Sequence, residues 1–120
     1  GWSLAFSPDG KMLATASRDY IRLWDFVSRR EIATLRGHNS RIRAIAFAPD
    51  GRYVASASDD RTVKLWDVET RQELATLKGH RAEIFATVFS PDGRNLVTGA
   101  MDFTAKVWDI GAATELTQIR

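Results

Sequence analysis

The chain has no cysteine in its 120 residues, which excludes disulfide staples, thiolate nucleophiles and cysteine-held metals and leaves the redox compartment open. Histidine is nearly as scarce: His38 and His80 are the only two, with no second ligand at metal spacing beside either, so no metal centre is expected. No block of like charge occurs, and the net charge is +2. The arginines Arg22, Arg36, Arg52, Arg61 and Arg94 are scattered rather than gathered in a stripe, so a nucleic-acid partner is not expected. No apolar run is long enough to span a bilayer and none resembles a signal peptide, so no membrane partner is expected and cytoplasmic is the default localisation. The chain opens on Gly1 rather than Met, which raises the expectation that residues precede it.

What the sequence does have is repetition. Hydrophobic residues make up 44% of it, enough for a core in one domain of ordinary size. Trp24, Trp66 and Trp108 recur every 42 residues, each followed by Asp. "SPDG" at 7–10 returns as "APDG" at 48–51 and "SPDG" at 90–93, and Gly37-His38 returns as Gly79-His80. The first unit is one residue short between Asp19 and Ile21. Repetition at this period marks a repeat architecture, and three units cover the chain: 1–36, 37–78 and 79–120.

Inside each unit the hydrophobic period is two. In "IRAIAF" Ile45 and Phe47 share one side and Ala44 and Ala46 the other, as in a strand buried on both faces. "RYVASAS", "TVKLWD" and "ELATLK" also read as strands. Pro49-Asp50-Gly51 places Pro at the second position of a type I turn and Gly at the fourth. "SDDR" and "VETRQ" fill the two remaining turns. Each unit is therefore expected to be a four-stranded antiparallel meander. A sheet that is apolar on both faces must stack on its neighbours, and radial stacking of such sheets is the β-propeller solution. The predicted fold class is all-β, with three propeller blades.

The Gly-His pair, the "FSPDG" turn and the "S-x-D-x-T-V-K-L-W-D" segment, ending in Trp-Asp, resemble the WD40 repeat across the whole chain. The resemblance implies a buried hydrogen-bonded chain in each blade, running through the His of Gly-His, a Ser or Thr, an Asp and the Trp. The second blade offers His38, Ser56, Asp60 and Trp66, and the third offers His80, Thr98, Asp102 and Trp108. The first has Thr15, Asp19 and Trp24 without a His. The chemistry suits the assignment, because indole only donates, hydroxyl and imidazole do both, and carboxylate accepts. Ser, His and Asp together also invite a catalytic reading. The set recurs in every unit, however, and ends on an indole that has no role in a triad. No catalytic residue and no cofactor are expected. The lone glycines of the "PDG" turns do not form a phosphate cradle.

The resemblance also implies a protein-binding platform whose narrow top face, near the central channel, contacts partners. By motif position Trp2, Arg18, Arg41, Arg43, Asp59, Glu83, Phe85 and Met101 line that face. Aromatics and Arg are the favoured anchors of protein interfaces. The partner is expected to be a protein or peptide. Three blades do not close a ring, since closed propellers have four or more. Two expectations follow. Either the chain is part of a longer parent propeller, or its copies join head to tail. Two copies would make six blades, and three would make nine as a second choice. The alternative function is a structural or engineered blade unit that self-assembles in this way, with no natural ligand.

Overall fold

The computed structural model describes residues 2–112 and 114–119. Twelve strands follow one another: β1 (Ser3–Phe6), β2 (Met12–Ala16), β3 (Tyr20–Asp25), β4 (Arg30–Arg36), β5 (Ile42–Phe47), β6 (Tyr53–Ser58), β7 (Thr62–Asp67), β8 (Glu73–Lys78), β9 (Ile84–Phe89), β10 (Asn95–Ala100), β11 (Ala105–Asp109) and β12 (Thr114–Ile119). They form three four-stranded antiparallel meanders, β1 to β4, β5 to β8 and β9 to β12, as the repeat predicts. Gly1 and Arg120, the outermost residues of the predicted units, lie outside the described residues.

The turns explain much of the repeated spelling. At 7–10 the Gly10 amide donates to the Ser7 carbonyl at 2.9 Å, and Gly10 sits at φ 72°, where a side chain would be strained. The Asp9 carboxylate holds the same turn by accepting from the Ser7 hydroxyl and the Lys11 amide. At the same end of each sheet, pairing of the third and fourth strands shifts register at the Trp, between Leu23 and Trp24, Leu65 and Trp66, and Val107 and Trp108. The following Asp then caps the outer turn. Asp67 Oδ1 accepts from the amides of Glu69 and Thr70, Asp25 Oδ1 from Val27 and Ser28, and Asp109 Oδ1 from Ala112. The indole bonds to a hydroxyl of its own sheet and the carboxylate ties the turn, which is why the two residues stand side by side.

The three blades stack through two apolar layers. Between the first and second, Ala14, Ala16, Ile21, Leu23 and Leu35 meet Ile42, Ile45, Val54, Trp66 and Val68. Between the second and third, Ala55, Ala57, Val63, Leu65 and Leu77 meet Ile84, Phe89, Leu96 and Trp108. Ile45 and Phe47 belong to one layer and Ala44 and Ala46 to the other, as their alternation requires. Each junction thus sets a small-residue face against a Trp face. The blades converge on β1, β5 and β9, whose contacts make the closest approach between sheets. Among the described residues the Trp face of the first blade and the small-residue face of the third have no neighbour, and there Leu4, Phe6, Val88 and Ile119 are exposed.

Candidate interaction surface

Beneath the surface, the second blade holds a closed polar chain. Trp66 Nε1 donates to Ser56 Oγ at 2.9 Å, Ser56 Oγ donates to His38 Nε2 at 2.7 Å, and His38 Nδ1 donates to Asp60 Oδ2 at 2.7 Å. This direction of donation fixes the imidazole as the Nδ1–H tautomer. Burial lowers the His38 pKa below its ordinary value of 6.5 despite the Asp60 carboxylate, so the ring is neutral at pH 7. Burial pushes the Asp60 pKa up, but hydrogen bonds from Thr62 and His38 and the amide of Asn39 outweigh it and hold Asp60 below its ordinary range. Every polar atom of the chain is paired, the condition under which a buried network stabilises.

The third blade repeats the residues but not the closure. Trp108 Nε1 donates to Thr98 Oγ1 at 2.9 Å, and Thr98 Oγ1 to His80 Nε2 at 2.7 Å. His80 Nδ1 then stops 3.8 Å from Asp102 Oδ2, buried and without a hydrogen-bond partner. One neighbouring residue differs beside the gap. In the second blade, Ser58 Oγ bonds to the carbonyls of Ser40 and Arg41 and accepts from the Asp60 amide, which clamps the Asp60 turn to the Gly-His loop. Ala100 stands in that place in the third blade and has no hydroxyl to offer. The Asp102 side chain is 23% exposed, against 9% for Asp60.

The first blade corrects an expectation. Trp24 Nε1 donates to Thr15 Oγ1 at 3.0 Å, but Asp19 is exposed and takes no part. Thr62 and Thr104 each donate their hydroxyl to the network Asp of their blade. The residue missing from the first unit removes that Thr. Its Ala16–Ile21 strand pair is spanned by a four-residue turn, where the Ala57–Val63 pair has five. The shortened turn swings Asp19 outward.

The Gly of each Gly-His pair has a packing role. A Cβ on Gly37 would lie 2.8 Å from Glu73 Oε1 and 3.1 Å from Trp66 Cη2, and one on Gly79 would lie 3.1 Å from Glu115 Oε1 and 3.2 Å from Trp108 Cη2. The backbone there runs over the indole and over a partly buried ion pair, Lys64–Glu73 at 3.0 Å or Lys106–Glu115 at 2.9 Å. Sequence reading passed over these lysines and glutamates, as it did Ser58 and the turn-capping Asp25, Asp67 and Asp109. For all of these but Ser58 the signal was repetition at the 42-residue spacing, since Lys64-Leu65-Trp66-Asp67 matches Lys106-Val107-Trp108-Asp109.

Strand direction brings all eight expected surface residues to one edge, where β1, β5 and β9 begin and β2, β6 and β10 end. Trp2 is 69% exposed, and Arg18, Arg41, Arg43, Phe85 and Met101 are also exposed. Asp59 is less free than a solvated surface acid. It takes a bidentate pair from Arg43, Nε to Oδ1 at 2.8 Å and NH2 to Oδ2 at 3.1 Å. Glu83 stands half-buried beside this pair and adds its charge to the field at Arg43. Backbone bonds fasten the edge from loop to loop: the Ile42 amide to the Arg18 carbonyl, Asp59 to Arg41 and Met101 to Glu83. The exposed groups of this edge differ from blade to blade. Among the described residues no group of three or more His, Asp or Glu gathers at metal-binding distance, and no helix is long and apolar enough to cross a membrane.

Comparison with known proteins agrees with this architecture. The family model described as "WD domain, G-beta repeat" (WD40) matches residues 2–25, 29–67 and 71–109, one match to each blade. Over 44 residues, 36% of the chain, the sequence is 46% identical to the general transcriptional corepressor TUP1 of Saccharomyces cerevisiae (strain ATCC 204508 / S288c), and the match spans 6% of that protein's length. With its three matched repeats folded as three stacked meanders, each with its Trp donating to a Ser or Thr hydroxyl and the following Asp closing the turn, the chain belongs to the WD40 repeat family.

Proposed function

We propose that the chain is a non-catalytic scaffold that binds other proteins through the edge where Trp2, Arg18, Arg41, Arg43, Asp59, Glu83, Phe85 and Met101 lie. The supporting observation is a division of labour. Both histidines are engaged inside the blades by Ser56 and Thr98, while aromatics and arginines stand exposed along one edge. The partial likeness to a transcriptional corepressor fits a protein-binding role. It also sets a nuclear location beside the cytoplasmic default, and fractionation of tagged chain decides between them. The test of the scaffold is selection of binders from a displayed peptide library, followed by mapping of each complex by amide exchange. Protection concentrated at residues 17–19, 39–43, 58–61 and 81–85 supports the reading. Protection confined to the "PDG" turns contradicts it.

The free faces favour a second reading, in which copies of the chain join head to tail. Val97, Gly99, Ala105, Val107 and Ile119 of the third blade repeat the positions at which Ala55, Ala57, Val63, Leu65 and Leu77 of the second receive the third. Leu4, Phe6, Leu13 and Trp24 repeat the opposite face. A dimer of six blades is the preferred closure and a trimer of nine the second choice. The same faces would serve blades of a longer parent. Light scattering on the isolated chain tests the reading. A dimer that Val107→Glu dissociates or precipitates supports it, and a monodisperse monomer at all concentrations contradicts it.

A further inference from the structure

The exposed edge differs in charge from one junction to the next. At the second junction it carries Asp59 and Glu83 around Arg43, with Arg43 bonded to Asp59. At the first junction Arg18 and Arg41 occupy the positions of Asp59 and Glu83, and Trp2 occupies that of Arg43. The Ile42 amide donates to the Arg18 carbonyl at 2.7 Å, so the two loops are tied together and Arg18 and Arg41 border one feature. That feature is a shallow groove of about 580 Å³ lined by Ser17, Arg18, Asp19, Ser40 and Arg41. Trp2 lies just beyond the Ser3–Ala16 strand pair, at the same end of the sheet as Ser17 and Arg18.

Arg22, Arg43, Arg52, Lys64 and Lys106 each stand within 4.0 Å of a carboxylate. Among the described residues neither Arg18 nor Arg41 does. Two unpaired arginines lining one groove, with the exposed Trp2 at the start of the adjoining strand, form a charged surface lacking its complement. Asp19, freed from the buried network by the shortened turn, is the one carboxylate in the groove. It leaves two cations facing one anion.

We propose that this groove binds an acidic segment of a partner peptide, with Arg18 and Arg41 gripping its anionic groups and the Trp2 indole packing on the adjacent chain. The proposal rests on the scaffold reading and names the chemistry of the partner. Carboxylate and phosphate share that chemistry, and both are suited to the planar fork of Arg.

The test uses the whole chain and three fluorescein-labelled probes in anisotropy titrations: octaglutamate, octaglutamine, and an octamer of alternating phosphoserine and glycine. Wild type is expected to bind at least one anionic probe in a salt-sensitive way and to leave octaglutamine free. A preference between the two anionic probes identifies the source of the charge. Arg18→Glu with Arg41→Glu is expected to weaken binding by about tenfold or more, as loss of two charge-assisted contacts implies. Arg30→Glu with Arg94→Glu changes net charge equally at exposed positions near the opposite edge, and is expected to leave affinity within about twofold. Equal losses in the two double variants, or no binding of either anionic probe by wild type, overturn the proposal. Library-selected peptides that still protect the edge after such a result would show that the scaffold reading survives without it.

Discussion

His38 and His80 occupy the same place in consecutive blades and make the same bond through Nε2, to Ser56 and to Thr98. They part company at Nδ1. His38 reaches its carboxylate at 2.7 Å, and His80 stands 3.8 Å from its own. Both blades have the Asp, the Thr that donates to it and the Trp at the far end, and the motif hydroxyls, Ser56 and Thr98, make the same bond to Nε2. Beside the carboxylate the blades differ at Ser58, which clamps turn to loop in the second, and Ala100, which offers no hydroxyl in the third. On this account a polar network is closed by a residue outside it. The first blade shows the further step, where a single missing residue drops the carboxylate out altogether.

Several substitutions sharpen or break this comparison, and the largest effect belongs to the indoles. Trp66 is packed between two blades, whereas Trp24 lies on a free face. Trp66→Ala is expected to cost about 3–5 kcal/mol in denaturant unfolding and Trp24→Ala about half that or less. Equal costs would mean that the first blade's free face is covered in solution. Next come the carboxylates. Asp60→Ala orphans His38 Nδ1–H and the amides of Asn39 and Thr62, and is expected to cost about 2–3 kcal/mol. Asp102→Ala removes no imidazole bond and is expected to cost about 1 kcal/mol or less. Equal losses would refute the open network of the third blade.

Smaller effects are expected from the clamp itself. Ser58→Ala is expected to lose about 1 kcal/mol of stability in thermal melts, and Ala100→Ser to gain up to about 1 kcal/mol by drawing Asp102 onto His80. The smallest effect is that of pH. The pKa values of His38 and His80 are both lowered by burial, so below the ordinary value of 6.5 the unfolded chain takes up protons that the folded chain refuses. Stability contributed by the neutral rings is full above that value and declines as the pH falls through it. The lowered pKa values of Asp60 and Asp102 add a further loss only below 3.8. Melting temperatures that are level above about pH 7 and fall between about pH 6.5 and pH 5 are expected, and a rise over that interval would contradict the neutral assignment.

The fold was legible because the repeat writes each structural device three times. The interval between tryptophans, the "PDG" turns and the alternation in "IRAIAF" specify strands, turns and faces without reference to distant residues. The site was legible in part. Motif position placed His38, Ser56, Asp60 and Trp66 in one chain, and strand direction put Trp2, Arg18 and Phe85 on one edge. What escaped depended on contacts between loops. The reach of Ser58 to the carbonyl of Ser40, and of Arg43 to Asp59, follows from how turns pack, which local periodicity does not encode. The displacement of Asp19 was written in the sequence as a missing residue, but its consequence turned on Thr62, whose role in holding Asp60 only the geometry reveals.

The claim that Ser58 closes one network and Ala100 leaves the next open is tested most directly by ¹⁵N–¹H NMR of the histidine side chains. In wild type, the account predicts a slowly exchanging, downfield Nδ1–H resonance for His38 and none for His80, with a second such resonance appearing for His80 in Ala100→Ser. Matching Nδ1–H resonances from both histidines in wild type, or a spectrum that Ala100→Ser leaves unchanged, would contradict it.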